Sequence, residues 1–114
     1  MSKISMILIG FVACLHIFFL IIEMFLWTKP YGMRAFQLTP EKAEMTKVMA
    51  MNQGLYNGFL AAGLIWSLVA PLSVAYFFLG CVFVAGVFGA MTASRKIFYI
   101  QALPALLAIL SLRI

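Results

Sequence analysis

Apolar positions run almost unbroken through most of this chain, and the polar positions between them mark where it turns. From Ile4 to Trp27 the apolar run is interrupted only by His16 and Glu23. A helical run of about two dozen residues, rising about 1.5 Å per residue, is long enough to cross a hydrocarbon core of about 30 Å. Lys3 ahead of this run suggests a secretory leader, but the run is too long for one and has no small-x-small cleavage site. Phe11-Val12-Ala13-Cys14 has too few apolar residues before it for a lipoprotein cleavage box. The segment is therefore expected to remain as a first membrane span.

Lys29 to Lys47 is the main polar segment, with Pro30 and Gly32 predicting a turn directly after the first helix. Thr39-Pro40-Glu41 reads as a helix start. The threonine hydroxyl can accept from an orphan backbone N–H, proline has its φ preset for the first helical position, and glutamate meets the positive end of the helix. The second helix is expected to begin near Pro40 and to span the membrane over 48–70. Pro71 and Ser73 predict an uncharged turn, followed by a third span over 74–93. Ser94-Arg95-Lys96 predicts a tight basic hairpin, and a short fourth span over 97–112 should be kinked at Pro104, which lacks a backbone N–H. The expected fold is all-α: a polytopic integral membrane protein, residues 1–114 forming a single four-transmembrane-helix bundle with spans at 4–27, 48–70, 74–93 and 97–112.

Composition strengthens this reading. Of 114 residues, 66% are hydrophobic and only 10% charged, more apolar surface than a water-soluble domain of this length can hide. The net charge of +5 does not point to nucleic acid, because the basic residues are scattered at the ends of apolar runs. Membrane lipids, through their headgroups, are the expected partners. Lys29, Arg34, Lys42 and Lys47 lie between the first two spans, and Arg95 and Lys96 between the last two, against Lys3 and Arg113 on the other side. The positive-inside rule then makes both basic loops cytoplasmic and both termini external, in a multi-pass protein of the cell membrane. Cys14 and Cys81 fall within spans without metal-ligand or disulfide spacing and are expected to be buried structural thiols.

An ionisable residue inside a span costs about 2.5 to 3.5 kcal/mol on insertion scales, so it usually faces a partner or water. His16 and Glu23, seven residues apart, share one helix face, and Trp27 is expected to continue it. The second span offers Asn52, Gln53, Tyr56 and Asn57 over an arc of roughly 140°. Gly54, Gly58 and Ala62 beside that arc form a small-x-x-x-small seam, repeated in the third span by Ala85-Gly89-Ala93 and Gly86-Ala90. The fourth span adds Gln101. Measured from the midpoint of each span, these polar groups lie between the midplane and the cytoplasmic side, Glu23 roughly 11 Å and Gln53 roughly 9 Å from it. The expected site is a polar pocket open to the cytoplasm, with Glu23 beside Gln53, His16 and Asn57 deeper, and Tyr56 at the wall.

Amides and tyrosines within spans also serve simply to join helices, at about 0.6 kcal/mol each. Trp66 and Tyr76, near span ends, read as interfacial anchors. Glu23 resists that explanation because His16 is the sole residue in its span that can carry a positive charge. The leading functional expectation is binding of a small-molecule ligand, with proton-linked transport in which Glu23 and His16 bind proton and substrate in competition. A homodimer through the glycine and alanine seams would complete a path too wide for four helices. The rival is a membrane-embedded isomerase acting on a lipid, quinone or sterol-like molecule, with His16 and Glu23 as acid and base and Gln53, Tyr56 and Asn57 positioning the substrate. A passive accessory subunit is the third reading. No phosphate loop or nucleophile with a base is present, no cofactor is expected, and a metal site would want a third ligand beyond His16 and Glu23.

The same residues carry a resemblance. Leu15-His16-Ile17-Phe18-Phe19-Leu20-Ile21-Ile22-Glu23-Met24-Phe25-Leu26-Trp27, Asn52-Gln53-Gly54-Leu55-Tyr56-Asn57-Gly58-Phe59-Leu60-Ala61-Ala62-Gly63 and Gln101-Ala102-Leu103-Pro104-Ala105 resemble the membrane family called domain of unknown function 1304. The resemblance extends over essentially the whole chain and implies a bacterial or fungal four-helix membrane protein. It implies an architecture and no particular activity.

Overall fold

The computed structural model describes residues 1–113 and is helical throughout, with no strand among them. Helix α1 runs from Lys3 to Ile21, capped where Ser2 Oγ accepts from the Ser5 backbone N–H at 3.1 Å, and continues into a π-helical turn over Ile22–Leu26. A short α2 occupies Pro30–Ala35, with proline in its first turn. Helix α3 spans Pro40–Ser67, α4 spans Leu72–Thr92, and a second π-helical turn, Phe98–Ala102, leads into α5, Leu103–Ser111. Two of these segments, Lys3–Leu26 and Leu72–Thr92, are long and apolar enough to cross a membrane.

Local chemistry explains the boundaries. Thr39 Oγ1 accepts from the Lys42 N–H at 3.2 Å, so α3 starts at Pro40 under the expected cap, a device worth about 1 kcal/mol. The turn expected at Pro30 and Gly32 lies earlier, over residues 27–29, and those two residues belong to α2. Proline at a first helical turn starts a helix as readily as it makes a turn. Helix α2 closes with Leu38 N–H on Met33 O and Gln37 N–H on Arg34 O, a Schellman pattern that places Gln37 at φ 54°, in the region glycine usually fills. Pro71 stops α3 from continuing and caps α4, so Ser73 is helical, not part of a turn. At Pro104, where a kink is expected, the structure has a π turn immediately before the proline. There the Leu103 N–H reaches back to Phe98 O, widening the helix where the proline ring would otherwise crowd the carbonyl of the preceding turn.

The chain forms two compact units. One comprises Leu15–Phe59: the second part of α1, its π turn, α2 and most of α3. Within it a Cβ on Gly32 would collide with the Leu26 carbonyl, and one on Gly54 would meet Met24 Cγ at 2.5 Å and Leu20 O at 3.3 Å. These glycines let α2 and α3 lie against the end of α1. The other unit comprises Met1–Cys14 and the chain from Leu60 onward. Its core gathers Ile9, Val12, Leu64, Leu79 and Val82 with the small residues Ala75, Ala105 and Ala108. Ser5 and Ser111 share a buried hydrogen bond of 2.8 Å that ties the start of α1 to the end of α5.

Three expectations about helix faces are corrected. Cys14 is exposed and Cys81 half-buried, not buried thiols. On a helix apolar all round, sequence does not mark the inward side, and both sulfurs fall on outward flanks. Ala62 is exposed while Ala61 and Gly63 are buried, so the small-residue seam shifts by one position beyond Gly58. Gly86 faces the backbone of Ala102, and Gly58 faces Leu20. The faces of these two glycines are thus occupied from within the chain, whereas Ala85 and Ala93 of the third-span seam are exposed.

Candidate functional site

Glu23 holds the second position of the π turn that ends the long first helix, and it is 2% exposed. A π turn carries one residue more than an α turn and recurs where a side chain must be re-aimed. Across from it on α3, Gln53 and Asn57 lie one helical turn apart, so their side chains stack on one face. Asn57 Nδ2 donates to Glu23 Oε1 at 2.5 Å, and Gln53 Nε2 donates to Glu23 Oε2 at 2.6 Å. Gly54 makes this approach feasible, because a Cβ there would come within 3.2 Å of Glu23 Cβ. Asn57 is buried, whereas Gln53 is exposed on its outer side.

The carboxylate therefore receives one neutral amide on each oxygen. A carboxylate offers about four acceptor positions, so this arrangement leaves capacity for a further donor or cation. His16 is fully buried with its ring edge-on to Phe19 at 5.7 Å, about 10 Å along the helix axis from Glu23. No set of three His, Cys, Asp or Glu side chains suited to a metal ion occurs among the described residues.

Two other expected members, Tyr56 and Asn52, are exposed. Tyr56 is 60% exposed and tilts against Phe59 at 6.2 Å. Gln101 belongs to the second π turn, in the other unit. Trp27, four residues and one turn after Glu23, meets the same stripe of α3, as expected of that face, but bonds there to Thr46 and not to Glu23. Its Nε1 donates to Thr46 Oγ1 at 3.0 Å, and its ring rests on Phe36 at 4.9 Å. Thr46 also donates to Lys42 O at 2.7 Å, making a clasp between the end of α1 and the start of α3 that sequence reasoning missed. The available signal was its spacing: Thr46 is two turns before Gln53 on the same stripe of α3.

A family model described as a protein of unknown function, DUF1304, matches residues 10–113. The chain belongs to this family. Every residue of the Glu23, Gln53 and Asn57 cluster lies within the matched DUF1304 region. The uncharacterised protein YpaA of Lactococcus lactis subsp. lactis (strain IL1403) is similar along nearly its full length, 28% identical over 116 residues that cover 97% of this chain and 98% of that protein. No solved structure matches this DUF1304 chain.

Proposed function

We propose that this DUF1304 protein is a single-domain, four-span integral membrane protein that binds a small cationic molecule at Glu23 and carries it in exchange for protons. The observation that supports this most is the buried carboxylate held by two neutral amides, with acceptor capacity to spare. Proton and cation compete for such a group, which is the minimum requirement for exchange. The isomerase alternative has less behind it, since Tyr56, one of its positioning residues, is 60% exposed and makes no hydrogen bond to Glu23.

Membrane residence is supported by the two long apolar segments, whose central windows are only 28% and 22% buried within the protein. The core helix of a soluble protein would be mostly buried, whereas here residues such as Ile7, Phe77 and Phe88 point outward. Lipid can solvate such surface and water cannot. Helix α3, at 28 residues, is about 42 Å long and would extend beyond the core at its charged start. The six cations of the two basic loops orient those loops to the cytoplasm. In a variant lacking Cys14 and Cys81, an impermeant thiol reagent applied to intact cells should label a cysteine at Ser73 and leave one at Arg34 unmodified. Labelling in the opposite pattern would reverse the orientation.

The exchange itself is open to a direct assay. Liposomes holding the purified protein and a pH-sensitive dye should show an alkaline shift of the lumen, beyond the passive response of protein-free liposomes, when n-butylammonium is added outside. Glu23→Gln, which keeps the shape and removes the titratable charge, should abolish the shift. Equal shifts in both proteins would remove Glu23 from coupling.

A further inference from the structure

The two amides on Glu23 are not equivalent. Asn57 is 8% exposed and holds Oε1 from within, while Gln53 is exposed and closes Oε2 from the outer side of α3. We infer that the Gln53 side chain is the displaceable cover of the Glu23 carboxylate, and that the group replacing it is a primary ammonium carried on an apolar body.

The inference rests on the cation-binding reading above and specifies the ligand from three features. The position vacated by Gln53 is that of an N–H donor at hydrogen-bond distance, so the incoming group must itself carry N–H; a quaternary ammonium does not. Only Oε2 becomes available, because Oε1 stays with the buried Asn57. A guanidinium, whose planar fork pairs best with both oxygens of a carboxylate, loses half of its geometry there, whereas an ammonium acts as a point charge on one oxygen. Met49 and Tyr56, four residues before and three after Gln53 on α3, are 72% and 60% exposed and present apolar surface beside the opening. Until a ligand arrives, the Gln53 amide prevents a buried carboxylate oxygen from standing without a donor. Once it arrives, an ion pair replaces a neutral donor.

Calorimetric titration of the full chain in detergent micelles with n-butylammonium, tetramethylammonium and guanidinium chlorides tests this. Butylammonium should bind the wild type at least tenfold more tightly than either other cation. Its affinity should rise about tenfold in Gln53→Ala and in Gln53→Met, since the competing donor is gone. The second variant preserves side-chain volume should the first fail to fold. Weaker binding in the Gln53 variants would make Gln53 a holding residue and overturn the cover. Equal binding of tetramethylammonium would overturn the ammonium assignment while leaving a cation at Glu23. Absence of binding by all three, in a protein whose proton flux is lost in Glu23→Gln, would overturn this inference alone. Absence of binding with flux indifferent to Glu23→Gln would overturn the underlying reading with it.

Discussion

Replacing Gly86 by valine should destabilise the protein by about 3 kcal/mol, whereas Gly80→Val on the same helix should change stability by less than about 1 kcal/mol. The two positions share their helix and their change in intrinsic propensity, so the difference isolates packing. A Cβ at Gly86 would stand 2.6 Å from the Ala102 backbone nitrogen and 2.8 Å from its Cα, and a backbone held in a π turn has nowhere to retreat. At Gly80 nothing lies within 4 Å of the added atom. Thermal unfolding in detergent micelles, followed by loss of helical signal, reads both variants. Equal melting temperatures would mean that α4 does not approach the second π turn closely.

That contact also illustrates which parts of the structure were legible in the sequence. The cap at Thr39 and the stops at Pro71 and Ser94 were readable because caps and breakers act through their own backbone geometry, wherever the rest of the chain lies. The π turns were not. An extra residue in a helix changes the phase of the apolar pattern, and a segment such as 3–26 is apolar on every side, so it carries no phase to disturb. Helix α2 was hidden for a different reason: Pro30 and Gly32 are turn formers by habit, but here proline starts the helix and glycine lets Leu26 O approach. The Ser5 and Ser111 pair had no readable spacing, since its members are held together only by the packing of α1 and α5.

The same limit shaped the reading of the candidate site. Matching depths along two helices put Glu23 beside Gln53 but set Asn57 deeper, with His16, whereas the structure bonds it to Glu23. Axial position comes from counting residues. Rotation about the axis does not. Asn52 and Tyr56 shared the depth and the polarity of their neighbours yet occupy outward positions. Gly54 was the unused clue. A glycine flanked by polar residues marks where another backbone comes near, and Gln53 and Asn57 border that contact while Asn52 and Tyr56 lie beyond it.

Asn57→Leu should destabilise the protein by about 3 kcal/mol, and adding Glu23→Leu should restore part of that loss. The single change removes a hydrogen bond to a charged acceptor and leaves Oε1 buried without a donor, at 2% exposure where water cannot substitute. The double change removes the carboxylate as well, so no polar atom is left stranded between the two helices, and two leucines fill similar volume. A coupling of about 1.5 to 3 kcal/mol between the sites is expected from the double-mutant cycle, measured by thermal or denaturant unfolding in micelles. Gln53→Leu should cost less than Asn57→Leu, because the outer side of Gln53 is open and Oε2 is left less enclosed than Oε1. This ordering separates a buried anchor from an exposed cover without reference to any ligand. Additive effects at Glu23 and Asn57, or a larger loss at Gln53 than at Asn57, would contradict the hydrogen-bond geometry on which both the proposed exchange and the proposed ammonium site depend.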